Sequence, residues 1–248
     1  MRVIYIIWLR QIKRFIRSYS RMVASLAQPL LFLIALGYGF GSIYEQAGQG
    51  SYIQFLAPGI IAMTVIFTAT FNGASLVFDK QFGFIKETLV APVSRVSIML
   101  GRALGGATVA CFQGIVVFFL AMLFGFMPVD WSIAPLAIVF IFLLALLYSS
   151  LGTLIGTFLK DMEGFQLIVN FLIMPSFFLS SAMFSVKNFP PAIEWVARIN
   201  PLTYGIDGMR GAFSTVVEFS YVFDILYLVA FVVILTFLGA WFFRKMQV

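Results

Sequence analysis

The side chains able to carry out chemistry in this chain are of few types. Its 248 residues include no His and a single Cys, Cys111. Without an imidazole there is no Ser-His dyad, no His metal ligand and no His proton shuttle. A lone Cys cannot form an intrachain disulfide. The absence of His and of a second Cys excludes most hydrolase sites. We expect no metal or cofactor to be bound by this chain.

The other polar groups of interest are neutral amides and hydroxyls inside long apolar stretches. Such groups in lipid either pack between helices or face a polar cavity. We predict that six of them line a substrate path: Gln28, Thr64, Thr68, Asn72, Gln166 and Asn170. Helix-to-helix contacts are the competing interpretation. A further alternative is sodium binding by hydroxyls, namely those of Thr64, Thr68, Thr70, Ser149, Ser150 and Thr153.

The elements that carry these residues are apolar segments long enough to cross a membrane. The chain is 62% hydrophobic and only 10% charged, whereas soluble domains are about 25% charged. A helix needs roughly 20 apolar residues to cross the hydrocarbon core. Charge-free stretches predict an all-α membrane protein with six transmembrane helices, at about 22–44, 53–78, 103–127, 133–158, 165–185 and 223–243. Together they make one permease domain, residues 22–248, and no ionisable residue is expected inside a span.

The basic residues indicate the orientation of these spans. With the N-terminus in the cytoplasm, 13 of the 16 Lys and Arg residues lie on the cytoplasmic side, which is where such residues concentrate. We therefore predict a multi-pass protein of the cytoplasmic (inner) membrane with both termini inside. A cleaved leader is the alternative for the N-terminus, but the long basic region before the first span favours an anchor.

Residues 1–21 are predicted to form a cytoplasmic amphipathic helix on the membrane surface. At 100° per residue, one face is basic and the other apolar. The basic face holds Arg10, Lys13, Arg14, Arg17 and Arg21, and the apolar face holds Trp8, Ile12, Phe15, Ile16 and Tyr19. Anionic lipid headgroups would attract the basic face. A basic tail that only sets the topology is the alternative.

The energy source for transport is not visible in this chain. Ion-coupled transporters generally need ionisable residues at membrane depth, and no G-x-x-x-x-G-K-[ST] phosphate loop is present. A separate ATPase subunit would need a cytoplasmic contact. The longest candidate is the segment 79–95, whose mixture of apolar and charged residues predicts a short amphipathic helix before Pro92.

Two motifs resemble those of a known family. The segment Asp79-Lys80-Gln81-Phe82-Gly83-Phe84-Ile85-Lys86-Glu87-Thr88-Leu89-Val90-Ala91-Pro92-Val93-Ser94-Arg95 and the later Asn200-Pro201-Leu202-Thr203-Tyr204-Gly205 are similar to elements of type-two ABC exporter permeases. That family includes daunorubicin-type drug exporters, nodulation lipo-oligosaccharide exporters and polysaccharide exporters. The resemblance covers essentially the whole chain.

The resemblance implies a half-permease that dimerises and binds two copies of a cognate ABC ATPase, with ATP and Mg²⁺ on that partner. It assigns ATPase coupling, with Glu87 at the family's acidic coupling position, to Phe82, Gly83, Ile85, Lys86, Glu87 and Leu89. It also implies a re-entrant element before the last span, marked by Asn200, Pro201 and Tyr204.

The residues around that element support two short helices. Pro190 and Pro191 can start one with a Glu194–Arg198 pair, and a second would carry an Asp207–Arg210 pair. A plain surface loop is the alternative. Glycine pairs at four-residue spacing, Gly101/Gly105 and Gly152/Gly156, predict close helix approach. We favour packing within one subunit over a dimer seam.

Three function classes stay open. The first is an ATP-driven export permease for an amphipathic or hydrophobic drug or lipid, with a polysaccharide or lipo-oligosaccharide as the alternative substrate. The second is a channel or facilitator not driven by ATP, and the third is a membrane scaffold. The expected partners are membrane lipid, the ATPase and a second copy of the chain, and no nucleic acid.

Overall fold

The computed structural model describes residues 2–46, 50–84, 94–186, 189–214 and 217–245. Within these ranges the chain is helical and no strand occurs. The helices are α1 (Arg2–Ile16), α2 (Tyr19–Gly39), α3 (Gly41–Gln46), α4 (Tyr52–Asn72), α5 (Ala74–Gln81), α6 (Arg95–Leu123), α7 (Leu136–Phe158), α8 (Met162–Phe178), α9 (Pro191–Ile199), α10 (Pro201–Ser214) and α11 (Tyr221–Lys245). The all-α prediction is confirmed.

Five regions of the described chain are long and apolar enough to cross a membrane. They are Met22–Gly39, Tyr52–Gln81, Arg95–Leu123, Leu136–Phe158 and Tyr221–Arg244. Each overlaps a predicted span. The helix at the predicted fifth span is shorter, since α8 has 17 residues and ends at Phe178 rather than at residue 185.

The two ends of α8 are determined by polar contacts rather than by hydropathy. The Asp161 carboxylate accepts a hydrogen bond from the Gly164 backbone N–H at 2.6 Å, which starts the helix. At the other end, the Asn200 amide donates to the Ser176 carbonyl at 2.6 Å and to the Leu179 carbonyl at 3.4 Å. These bonds satisfy carbonyls that a longer helix would have used.

The centre of the protein is built from α4, α6 and α7, which pack against one another. The inward faces of α4 and α7 supply fully buried side chains such as Leu56, Ile61 and Leu144. Around this centre, α2 packs on α4, α1 packs on α6, and α11 packs on α7 and α6. The shorter α8 packs on the edges of α4, α5 and α7.

Glycines permit the closest helix contacts, and they lie within one subunit as predicted. A β-carbon on Gly156 would stand 2.9 Å from the Gly73 carbonyl oxygen. One on Gly152 would collide with the backbone of Thr70. On α6, β-carbons on Gly101 and Gly105 would meet Ile7 and Gln11 of α1. The two glycine pairs thus hold α7 against the α4–α5 junction and α6 against α1.

The amphipathic helix α1 is held by α6 along part of the face predicted to enter lipid. The Trp8 indole donates to the Thr108 hydroxyl at 3.0 Å, and the Phe15 ring meets the Phe112 ring edge-on. Ile16, the last residue of α1, and Tyr19, the first residue of α2, lie beyond this contact and are exposed. The apolar face is therefore divided between protein packing and an outward-facing end.

Candidate functional site

A cavity of about 690 Å³ lies among α1, α2, α4, α5, α6 and α8. Five of the six predicted path residues line it, namely Gln28, Thr64, Thr68, Asn72 and Gln166. The sixth, Asn170, is exposed on α8 and does not line it. The structure thus brings together side chains from three predicted spans, with Gln28 and Gln166 lying 138 positions apart in the sequence.

Helical spacing explains why the α4 residues share the cavity wall. Thr64, Thr68 and Asn72 follow one another at four-residue intervals, so they lie on one face of α4. The Thr64 hydroxyl donates back to the Ile60 carbonyl at 3.0 Å and is already satisfied. The Thr68 hydroxyl instead donates across to the Gln113 side-chain oxygen.

Gln113 is the most buried of several polar cavity residues that the sequence prediction missed. It is 1% exposed on α6, and its amide nitrogen donates to the Ser25 hydroxyl of α2. Because its oxygen also accepts from Thr68, one side chain links α2, α4 and α6. An amide inside the predicted span 103–127 was the available signal. Bridges of this kind fix the spacing of helices in lipid.

Aromatic rings make up much of the remaining wall. Phe67 and Phe71 of α4 stack at 6.4 Å, and both line the cavity together with Phe15 of α1. The mixture of rings, amides and hydroxyls suits an amphipathic ligand, since pockets of this kind are mostly apolar with a few placed polar groups.

A charged network lies at one end of the cavity, where α1, α5 and α6 meet. The Asp79 carboxylate accepts from the buried Arg102 guanidinium and, at 3.0 Å, from Arg10 of α1. Arg102 also donates to the Ser75 hydroxyl at 3.2 Å, and Gln11 donates to the same hydroxyl at 3.2 Å. Sequence reasoning had assigned Asp79 and Arg102 only to the cytoplasmic side. Their mutual charge neutralisation is what allows both to be buried.

The expectation that no span contains an ionisable residue is wrong for the last one. Asp224 lies inside the predicted span 223–243 and is fully buried near the start of α11. Neither carboxylate oxygen has a hydrogen-bond partner in the described part of the chain. Helix α11 begins at Tyr221, so Asp224 lies in its first turn. Hydropathy alone would leave Asp224 at the edge of the span.

The Asp79-Lys80 pair opens the segment assigned to ATPase coupling. Lys80 donates to the carbonyls of Thr157 at 2.6 Å and Leu159 at 3.1 Å, and so binds the C-terminal end of α7. Beyond it, the Phe82 side chain is 69% exposed and Gly83 has a φ of +77°, which favours glycine. The other coupling candidates, Ile85, Lys86, Glu87 and Leu89, lie outside the described residues.

Two short helices, α9 and α10, occupy the predicted re-entrant element. Asn200 joins them: its side-chain oxygen accepts from the Leu202 backbone N–H at 3.1 Å, which caps α10, while Pro201 begins that helix. The buried Tyr204 donates its hydroxyl to the Arg198 carbonyl at 2.6 Å. These contacts make the connection a compact packed turn.

Of the two ion pairs predicted there, one is confirmed. Arg198 contacts Glu194 at 2.7 Å. Asp207 and Arg210 do not pair: Asp207 accepts from the backbone N–H groups of residues 218 and 219, and Arg210 donates to the Ser181 carbonyl at 2.8 Å. Burial lowers the pKa of the Arg210 guanidinium to about 10, with Asp207 acting in the opposite direction. Arg210 stays a cation at neutral pH and covers the Phe55 ring at 4.0 Å.

Comparison with known proteins identifies the family. Residues 2–214 match the family of ABC-2 type transporters. The chain belongs to this family. The ABC-2 permease is 33% identical over 230 residues to "Inner membrane transport permease YadH" of Escherichia coli (strain K12), covering 92% of this chain and 89% of that protein.

Two further relatives come from different organisms. The ABC-2 permease is 30% identical over 210 residues to "Putative transport permease ycf38" of Pyropia yezoensis, with 81% of this chain and 70% of that one covered. It is 29% identical over 195 residues to "Nodulation protein J" of Rhizobium leguminosarum bv. trifolii, with 78% and 74% covered. The predicted resemblance is confirmed, and the protein is a multi-pass membrane permease with a transport role.

Proposed function

We propose that this ABC-2 permease is the membrane subunit of an ATP-driven exporter. It dimerises, binds two copies of a separate ATPase and moves an amphipathic or hydrophobic drug or lipid out of the cytoplasm. ATP and Mg²⁺ would bind the ATPase, and both permease termini would lie in the cytoplasm. Polysaccharide or lipo-oligosaccharide export on the same scaffold is the alternative.

The cavity among α1, α2, α4, α5, α6 and α8 is the observation that carries this proposal. Its volume of about 690 Å³ lies in the range of roughly 300–1,000 Å³ found for small-molecule sites. Amides and hydroxyls would hydrogen-bond the polar end of the substrate, and rings such as Phe67 and Phe71 would contact its apolar part. Such a wall favours an amphiphile over a fully hydrated ion.

The coupling role rests on the position of Phe82. It follows α5, which continues from α4 after Gly73, so a push on Phe82 would be carried along α5 to the α4 wall of the cavity. The exposed ring is suited to burial in a groove of the ATPase, and Glu87 would orient the contact through a basic residue of that partner. Gly83, Ile85, Lys86 and Leu89 complete the proposed surface.

A second copy of the chain is supported by the exposed face of α8. Asn170 is an exposed amide beside Leu167 and Phe171, which are 71% and 84% exposed. An amide facing lipid lacks a hydrogen-bond partner, so such a face favours association with another helix. In the proposed dimer, Asn170 would lie at or near the subunit contact.

The decisive experiment is purification of the native complex followed by transport in inverted membrane vesicles. An ATPase recovered in equal amount, together with ATP-dependent uptake of an amphipathic dye, supports the proposal. A matched preparation with an ATPase lacking its phosphate-loop lysine should show no uptake. Ion conductance without any associated ATPase would establish the channel function instead, and stimulation only by lipid-linked sugars would establish the glycan alternative.

A further inference from the structure

A second cavity, also of about 690 Å³, lies between α1 and the end of α5. We name it the basic groove after its cations: Arg10, Lys13, Arg14 and Arg17. Its only acidic lining residue among those described is Asp79, which already binds Arg10 and Arg102. Among the described lining residues, four cations therefore face one carboxylate.

Packing of α1 fixes the direction of these cations. Trp8 and Phe15 contact α6, and Gln11 fits against Gly105. The residues at 10, 13, 14 and 17 lie on the other side of the helix and face the end of α5. Lys13 and Arg17 are exposed. A helix free on the membrane surface would not hold its charges in one such concave site.

The opposite wall of the groove is aromatic. Phe82 and Phe84 are 69% and 54% exposed, and both line the groove beside the cations. Cations next to exposed rings and aliphatic side chains such as Ile6 and Leu9 fit a ligand with an anionic headgroup and an apolar body.

The basic groove adjoins the first cavity, which is lined by five of the predicted path residues and is called the central cavity below. Arg14 and Phe78 line both of them, with the Arg14 guanidinium 5.9 Å above the Phe78 ring. These two side chains are thus the common wall between a cationic site on the cytoplasmic side and the cavity that contains the predicted path residues. A molecule bound in the groove would be one side-chain layer from that cavity.

We propose that the basic groove is the cytoplasmic access site for an anionic amphiphile bearing a phosphate headgroup. The headgroup binds Lys13 and Arg17, and the apolar body contacts Ile6, Leu9 and Phe84 until it passes the Arg14–Phe78 wall, which leaves the Phe82 ring to the ATPase. This inference rests on the proposed export function and narrows its substrate class to phosphate-bearing lipids of the inner leaflet.

Binding is tested on the purified permease without its ATPase, in nanodiscs of phosphatidylcholine. The probe is a short-chain fluorescent phosphatidylglycerol, with phosphatidylcholine of the same chains as the neutral-headgroup control. We expect the double variant Lys13→Gln/Arg17→Gln to bind phosphatidylglycerol about 25-fold more weakly, since each basic residue contributes about fivefold to binding of anionic lipid. High salt should weaken wild-type binding of phosphatidylglycerol.

The matched control is Lys160→Gln/Arg244→Gln, which removes two exposed cations that do not line the groove. It should bind phosphatidylglycerol like the wild type. Equal weakening in both double variants, or equal binding of the two lipids by the wild type, would contradict the proposal that the groove binds the anionic headgroup. Competition by inorganic phosphate at the same affinity as phosphatidylglycerol would overturn the lipid as the source of the phosphate.

Transport by the permease–ATPase complex separates this inference from the proposed function. Preferential ATP-driven movement of phosphatidylglycerol over phosphatidylcholine, lost in Lys13→Gln/Arg17→Gln while the ATPase still copurifies, supports the substrate class. Phosphatidylglycerol that binds but is not moved, in a complex that does move an amphipathic dye, overturns it. Failure of any ATPase to copurify refutes the export function, while the binding result on the permease alone still decides the groove.

Discussion

Arg102 and Asp79 form a buried ion pair that joins the start of α6 to the end of α5, and their side chains are 5% and 6% exposed. Arg10 of α1 binds the other oxygen of the same carboxylate. Three helices that are separate in the sequence therefore meet at one acidic group, which is the first residue of the segment assigned to ATPase coupling. A displacement of that segment would act on all three.

Asp79→Asn should destabilise the permease strongly. The substitution leaves the Arg102 guanidinium buried without a counter-charge, and breaking a buried pair in this way costs about 3–5 kcal/mol. The measurement is the thermal unfolding midpoint of the purified protein. Arg10→Gln is the matched control: because Arg10 is 53% exposed, its loss should cost no more than about 1 kcal/mol. Equal effects of the two changes would refute the central role of the buried pair.

Asn72 and Asn170, two of the six residues predicted to line the substrate path, are expected to respond differently to substitution. Asn72→Leu places an apolar side chain in the cavity wall, so it should change the order in which substrates stimulate the ATPase while the complex still assembles. Asn170→Leu lies outside the cavity and should leave that order unchanged but weaken the proposed dimer. The measurements are stimulated ATPase activity over a substrate panel and the mass of the complex in detergent. A changed substrate order from Asn170→Leu alone would contradict this division.

Gly152→Ala tests the close contact between α7 and α4. The added methyl would collide with the backbone of Thr70, which cannot rotate away, and such overpacking typically costs about 1–3 kcal/mol. Gly39→Ala is the control, because no atom lies within 4 Å of the new methyl there. The unfolding midpoint should fall for the first variant only. A wild-type midpoint for Gly152→Ala would mean that the helices separate at little cost.

Phe82→Ala and Glu87→Ala should uncouple ATP hydrolysis from transport. The first removes the exposed ring proposed to enter the ATPase, and the second removes its orienting charge. We expect the permease to remain in the membrane and transport to fall at least tenfold, consistent with a lost interface anchor of roughly 1.4 kcal/mol or more. Phe119→Ala, an exposed ring on α6 away from the segment, is the control. Wild-type transport by the Phe82→Ala/Glu87→Ala double variant would leave α1 as the next coupling candidate.

The sequence located the spans and five polar residues of the cavity wall because both depend on local pattern. Charge-free length places a segment in lipid, and an amide or hydroxyl inside such a segment must pack or face a cavity, so Gln28, Asn72 and Gln166 stood out. The i, i+4 pair of Glu194 and Arg198 was predictable for the same reason. Helix ends were less accurate: α8 ends at Phe178, where Asn200, from another part of the chain, donates to the carbonyls of Ser176 and Leu179.

Only the tertiary structure decided which charges are buried and which cavities adjoin. Whether Asp79 is a solvated loop residue or a buried anion depends on Arg102 and Arg10, which reach it from two other helices. The predicted ion pair between Asp207 and Arg210 does not form. Asp207 binds backbone N–H groups beyond α10 instead, and Arg210 binds the carbonyl of Ser181. Burial of a charge is favourable only when a partner is in place, and partners distant in sequence are set by helix packing, which local pattern does not contain.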